Sequence, residues 1–278
     1  MWKGDFVMET VVTDMDGTLL AKGGAVIQPL NKEVLLDWQK QGKKLVLATG
    51  RLDLAIMPFI HELGITMPVI SCNGALVRDF GKNEILMKSD ISYDLLGQVI
   101  ELVRGFGVDY HVYTTERIVG PTVTGKIAGF VEANKTLPEN EQVPLTVTAD
   151  VVGEIERSGE FALKVLVLSD DPEKRVAVRE ALAELPLSVM ASGTTLIDIM
   201  NVGIDKSHGL AYLDEAGWLD LETTIAFGDN ENDIGMIELA KMGVAMENSI
   251  PETLAIADYV AGHHDIGGLG QFLLDFEK

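Results

Sequence analysis

Short β-branched runs alternate with amphipathic stretches at the start of this chain, stop, and resume far downstream, and that broken alternation restricts the fold more than any other feature. Val11-Val12 closes the first run. A helical stretch from Pro29 to Gly42 leads into "KKLVLATG" (43–50), and a helical segment over Leu52 to Leu63 leads into "MPVISC" (67–72) and Asn73-Gly74. Strand, helix, strand predicts βαβ units and a parallel α/β sheet. The same grammar returns with a helix from Lys206 to Ala216, the strand "TTIAFGD" (223–229), a helix from Glu231 to Met242 and a last helix from Ile266 to Phe276. Residues 1–82 and 192–278 therefore read as one α/β core.

The interruption, 83–191, follows another pattern. Ile91, Leu95, Leu96, Val99 and Val103 recur at helical spacing, with Ser92 placed to cap the start and Gly105 to end it. "VDYHVYTT" (108–115), "FALKVLVLS" (161–169) and "LSVMAS" (187–192) read as strands, and "DPEKRVAVREALAEL" (171–185) as a helix with Pro172 in its first turn. The stretch 131–160, rich in acids, Pro and Asn, supports no assignment. The whole reads as an α+β domain inserted into the α/β one.

Length supports two domains, because single cores tend to stop growing near this size. Forty-three acids against 22 basic residues leave a net charge of −21, which argues against nucleic acid or an anionic membrane as partner. The first ten residues contain no apolar signal core and no stretch is long and apolar enough for a span, so the expected location is the cytoplasm. Cys72 is the only cysteine, so no intramolecular disulfide forms. Nothing in the sequence speaks to oligomeric state.

In an open parallel sheet, ligands bind beyond the carboxyl ends of the strands. Four constellations fall at such places. "DMDGT" puts Asp14 and Asp16 just past the first strand, where one carboxylate can serve as nucleophile or metal ligand and the other as acid and base. Taken alone, it fits an Asp-rich turn equally well. A calcium loop is excluded, because Gly17 comes too early and no Glu closes it. "LATGR" offers Thr49, Gly50 and Arg51 ahead of a helix as a phosphate cradle, and Lys206 opens a later helix where its ammonium can neutralise phosphoryl oxygens. "FGDNENDIGM" supplies Asp229, Asn232 and Asp233, hard oxygen ligands suited to magnesium, although a helix start favours acids for its own reasons.

In this order the four elements resemble the haloacid dehalogenase superfamily of aspartate-nucleophile phosphotransferases. The long insertion is similar to its C2-type cap, and "SCNGA" with "GDNENDIGM" looks like the Cof-type subgroup. Ser207-His208 departs from the pattern, since the subgroup usually has glycine directly after the lysine. The resemblance implies a Rossmann-like core carrying an inserted α+β cap. It implies Asp14 as nucleophile and Asp16 as general acid and base. Thr49, Lys206 and Asn232 hold the phosphoryl group, with Gly50, Arg51 and Asn73 as further candidates. Mg2+ falls on Asp14, the Asp16 carbonyl, Asp229 and Asp233, the last either directly or from behind. The cation offsets the repulsion between Asp14 and an anionic substrate.

The expected activity is a magnesium-dependent phosphatase for small phosphorylated metabolites, with sugar phosphates as the leading class. A phosphomutase on the same scaffold is the main rival, and a non-catalytic phosphate-binding protein a weaker one, since a binder has no use for Asp16. An inserted domain can exclude water and contact the part of the substrate that is not phosphate. His111, Tyr113 and Arg117, polar or aromatic residues near one of its expected strands, are candidates for that task, although packing or surface is the plainer reading of each.

Overall fold

The computed structural model describes residues 7–278. The chain begins with β1 (Thr10–Thr13), α1 (Pro29–Lys40), β2 (Lys44–Leu47), α2 (Met57–Leu63), β3 (Val69–Ser71), β4 (Leu76–Asp79) and β5 (Glu84–Lys88). It continues with α3 (Tyr93–Gly105), β6 (Asp109–Thr114), β7 (Ile118–Gly120), α4 (Gly125–Asn134), β8 (Leu145–Val147), α5 (Val151–Ser158), β9 (Ala162–Leu168), α6 (Pro172–Leu182), β10 (Leu187–Ala191) and β11 (Leu196–Asn201). Then follow α7 (Lys206–Glu215), β12 (Thr224–Gly228), α8 (Ile234–Leu239), β13 (Met242–Met246), α9 (Pro251–Ile256), β14 (Tyr259–Ala261) and α10 (Gly268–Phe276).

Two compact units result. The first comprises 1–49, 59–87 and 205–278, of which 1–6 lie outside the described residues. Its five-stranded sheet has the order β14-β13-β12-β1-β2, every pair parallel. On one face Val12, Val46 and Ala226 pack with Leu210 and Leu213 of α7 and Met236 and Ile237 of α8. On the other, Phe227 of β12 meets Phe272 of α10 edge to face at 5.5 Å, and α10 packs on α1. Strands buried on both sides explain the near-continuous apolar runs. Thr13 of β1 stands level with Phe227 of β12 and Leu47 of β2, so the three strands end together and their next residues share one rim.

The second unit comprises 50–58 and 88–204. Its six strands run in the order β10-β11-β9-β6-β7-β8, antiparallel except for β7 with β8. Leu96, Val99 and Val103 of α3, Ile155 of α5 and Val178 and Leu182 of α6 bury one sheet face, lined by Val112, Val165, Val167, Ile197 and Ile199. Ser92 caps α3 through the Leu95 amide, and Pro172 opens α6 behind its Asp171 cap. The sequence placed the joins at 82/83 and 191/192. The division by packing lies further on at both, at 87/88 and 204/205, the second because β11 pairs with both β9 and β10.

Several elements differ from expectation. The helix from Glu231 stops at Leu239, and Met242 opens a strand instead. Gly243 explains the tight return, since a β-carbon there would lie 2.3 Å from the Ile237 carbonyl oxygen. The unassigned stretch 131–160 holds β8 and α5, the latter capped by Asp150 and closed by Gly159 in the left-handed region. The helix expected from Leu52 is a tight turn over 53–56 followed by α2.

Candidate active site

Asp14 sits at the end of β1, where its amide donates to the Phe227 carbonyl at 2.9 Å and holds it beside β12. Its side chain is buried, and it is ion-paired with the ammonium of Lys206. Lys206 is the first residue of α7, set there by Asp205, whose carboxylate caps the helix through the amides of Ser207 and His208. That cap accommodates the Ser207-His208 departure. The glycine comes at 209, where a β-carbon would meet Ile70 at 2.6 Å. Fully buried, Lys206 also reaches Asp233 at 2.5 Å.

Asp233 is held from both sides. One oxygen takes Lys206, and the other accepts from the amides of Asp229 and Asn230 at 2.9 and 3.0 Å, which folds the loop after β12 back on itself. Asp229 accepts from the Thr18 hydroxyl at 3.0 Å. Oxygens of Asp14, Asp229 and Asp233 all lie within 4.8 Å of one another. In this setting the proton affinities of Asp14 and Asp229 rise. Burial, opposed by Lys206 and reinforced by Asp233 and Asp16, pushes the Asp14 carboxyl up to about 7. Burial together with Asp14 and Asp233 pushes Asp229 up to about 8. Burial alone would lower Lys206, but the two carboxylates it bridges raise it, so it stays charged.

Asp16 lies in a single wound turn, Met15–Leu19, and is exposed. Gly17 breaks that turn at φ +85°, and a β-carbon there would fall 2.5 Å from Asp229, so only glycine lets the turn pass against the acidic group. Thr49 is buried one residue beyond Ala48, whose amide donates to the Thr13 carbonyl. The Thr49 carbonyl accepts from Asn73 at 3.0 Å. Asn73 adopts the left-handed conformation, and its side-chain oxygen accepts from Asn232 at 3.0 Å. The next residue, Gly74, passes so close to Asp205 that a β-carbon would sit 1.9 Å from its carbonyl oxygen.

The first unit thus brings together Asp14, Asp16, Thr49, Asn73, Lys206, Asp229, Asn232 and Asp233, drawn from three separated stretches of sequence. Gly50 and Arg51 fall in the second unit. There the Gly50 carbonyl accepts from Lys164, which is paired with Asp198 at 3.0 Å and lies 4.7 Å from the centre of the Tyr113 ring. His111 is 2% exposed, 5.2 Å from Tyr113. Arg117 bonds Thr146, Glu154 and Glu160 and ties the start of β7 to β8 and α5, in keeping with the packing role that is the plainer reading of it.

Thr18, Asn31 and Asn248 escaped the sequence reading although each bonds to the loop that carries the two aspartates or to its partner. Asn31 left a signal: it occupies the apolar stripe of α1 with Val34, Leu35 and Trp38, the place where a polar residue needs a buried partner.

A parallel sheet with an α+β insertion, and a buried lysine among carboxylates at its strand ends, define a class of phosphoryl-transfer proteins. Over residues 11–273 the sequence matches the haloacid dehalogenase-like hydrolase family, and the chain belongs to it. Within that family it is a phosphatase of the Cof type, a phosphoric monoester hydrolase. Similar proteins include the pyridoxal phosphate phosphatase YbhA of Escherichia coli K12, 28% identical over 95% of this chain and 96% of the relative. Another is the 5-amino-6-(5-phospho-D-ribitylamino)uracil phosphatase YwtE of Bacillus subtilis 168, 25% identical over 96% of this chain and 97% of the relative. The solved structure of a haloacid dehalogenase-like hydrolase from Bacteroides thetaiotaomicron superposes with a TM-score of 0.80 at 26% identity, covering 97% of this chain and 99% of that one. Among the described residues, no helix is long and apolar enough to cross a membrane.

Proposed function

We propose that this chain hydrolyses small phosphorylated metabolites, with sugar phosphates as the leading class, through an aspartyl-phosphate on Asp14, and that it uses Mg2+. The observation that carries this reading is the Asp14 carboxylate, held at the end of β1 by Lys206 with Asp229 beside it and Asp16 exposed two residues on.

Asp14 attacks phosphorus as the bond to the leaving oxygen breaks, and Asp16 gives that oxygen its proton. Asp16 then takes a proton from the water that cleaves the acyl phosphate. Lys206 lies against the attacking carboxylate and offsets its repulsion from the substrate. Thr49 and Asn232 hold the phosphoryl oxygens, Asn73 orienting Asn232 through their hydrogen bond. Gly50 and Arg51 stay on as further phosphate contacts from the loop after β2.

The donor set fits a divalent cation. Three carboxylates converge where one lysine supplies the compensating charge, and burial, reinforced by the neighbouring carboxylates, raises the proton affinity of two of them, Asp14 and Asp229. Asp14, Asp229 and the Asp16 carbonyl would hold the ion. Asp233, whose oxygens are taken by Lys206 and two amides, would support it from behind. When bound, Mg2+ supplies positive charge against the phosphoryl oxygens.

The two relatives named for their substrates act on pyridoxal phosphate and on a phosphoribitylamino-uracil, both compact phosphate monoesters. That supports a small metabolite here. A net charge of −21 supports exclusion of nucleic acids, and the lone, buried Cys72 fits a reducing cytoplasm. The test is a phosphate-release screen across phosphorylated metabolites with Mg2+ or chelator, joined to acid-quench peptide mapping of Asp16→Asn. Mg2+-dependent release and phosphate trapped on Asp14 are expected. Label on another residue would overturn the nucleophile, and turnover without net release of phosphate would favour the mutase.

A further inference from the structure

The turn that carries Asp16 departs from regular helix at Asp16 and Gly17. Gly17 interrupts it, and the bond that closes it runs from the Leu20 amide to the Met15 carbonyl at 2.9 Å. The carbonyls of residues 17 to 20 turn away from any continuing helix. Each is met by a side chain from elsewhere in the first unit, and that of Leu19 also by the Gln28 amide at 3.2 Å.

Asn248 donates to the Gly17 carbonyl at 2.8 Å. Asn31 donates to those of Thr18 and Leu19 at 3.4 and 3.1 Å. His264 bonds the Leu20 carbonyl through Nδ1 at 2.8 Å. A carbonyl only accepts, so that ring nitrogen carries the proton.

The two asparagines are fixed in turn. The Asn31 oxygen accepts from the Gly270 amide at 2.8 Å, and the Asn248 oxygen from the His264 amide at 3.1 Å. With each oxygen engaged by a backbone N–H, each amide nitrogen must face the loop. Asparagine meets that double demand and aspartate does not, since its second oxygen would confront a carbonyl.

We infer that Asn248, together with Asn31 and His264, is a positioning residue for the general acid: the three clamp the turn after Asp14 by its carbonyls and so fix where the Asp16 carboxyl points. The inference rests on the reading of Asp14 as nucleophile and Asp16 as acid. Glycine at 17 is required by the closeness of Asp229, yet it has the broadest torsional freedom of any residue. Asn248 removes that freedom at the peptide following Gly17. None of the three touches the reacting atoms.

The decisive variant is Asn248→Asp, which keeps size and the acceptor for His264 but turns an oxygen toward the Gly17 carbonyl. The readout is kcat/KM over aryl and alkyl phosphates of graded leaving-group acidity, which reports the step in which the Asp14 oxygen bonds phosphorus and the leaving oxygen departs with the Asp16 proton. A general acid contributes about 10²- to 10⁴-fold to such a step. A misaimed one should cost about 10- to 100-fold with alkyl phosphates. With p-nitrophenyl phosphate, whose leaving group needs no proton, the cost should be about threefold or less.

Asn248→Ala removes the donor without adding charge. It should show the same selective loss in weaker form and carries the test if the aspartate variant does not fold. An equal fall across the series, or none, in either folded variant overturns the clamp. Asp16→Asn provides the reference: it must show the selective loss itself, and if it does not, the acid assignment has failed and the clamp falls with it.

Discussion

Each unit of this molecule buries a lysine against aspartate, and the two clusters differ in their charge balance. In the second unit Lys164 pairs with Asp198 at 3.0 Å, and the Gly50 carbonyl and the Tyr113 ring also lie against its ammonium. In the first, Lys206 faces Asp14 and Asp233 directly, with Asp229 alongside. A balanced pair serves packing and connection. A surplus of carboxylate leaves proton affinities displaced and a demand for positive charge unmet, the condition that perturbed sites share with catalytic ones. A buried lysine by itself therefore says little; the number of acids around it says more.

The largest effect that tests this contrast is Asp14→Asn. Turnover should fall by on the order of 10³-fold or more, because the amide is a poor nucleophile. Thermal stability should hold or rise, since one surplus buried carboxylate is gone. Phosphate release and a melting curve on the same preparation check both halves, and a folded variant with parental activity would break the assignment.

The balanced cluster should respond the opposite way. Lys164→Met takes the ammonium away from a buried carboxylate and should cost about 3–5 kcal/mol in denaturant unfolding, whereas Lys164→Met with Asp198→Leu should recover most of it. If the single and double variants are equally unstable, the pair is not what matters there.

A divalent cation separates the clusters again. Mg2+ at about 100 times its Kd should stabilise the protein by about 2.7 kcal/mol. Asp229→Ala should abolish that gain and Asp198→Asn should leave it intact. Calorimetry with and without chelator on the three proteins reads it directly.

The smallest effect concerns His111, which burial, aided by Lys164 and Lys126 and opposed by Asp198, pushes down to about 3. A histidine that stays neutral when folded but protonates near its ordinary value when unfolded gives stability that is present above about pH 6.5 and is lost as pH falls toward 3. By pH 5.5 the loss should be about 1.3 kcal/mol relative to about pH 7. His111→Gln should lack that component, seen as a difference between two stability profiles. Parallel profiles would mean that His111 binds its proton equally well in the folded and unfolded chain, and would overturn the shift.

Much of the candidate site was legible because it lies where strands end. "DMDGT", "LATGR" and "GDNEND" each follow an apolar β-branched run, and parallel strands in register bring such ends to one rim. Lys206 was legible as the start of a helix. The strand β13 was not, because "MGVAM" continues the apolar character of the helix before it, and periodicity cannot divide so short a run. Nor was the commitment of Arg117, since its partners Thr146 and Glu154 lie in the stretch whose polar composition concealed β8 and α5.

By itself, then, the sequence determined the alternation that makes a parallel sheet, the place where it is interrupted, and which acids and lysine stand at strand and helix ends, because these follow from local periodicity and from turn chemistry. Only the tertiary structure decided that Asp233 spends its oxygens on Lys206 and two amides, that Asn73 serves Asn232, and that Asn31, Asn248 and His264 hold the carbonyls beyond Gly17. The reason is distance along the chain. Each of the three clamping residues is separated from the carbonyl it holds by one or more turns or strands, and a buried amide reveals its partner only after folding has brought the two within hydrogen-bond reach.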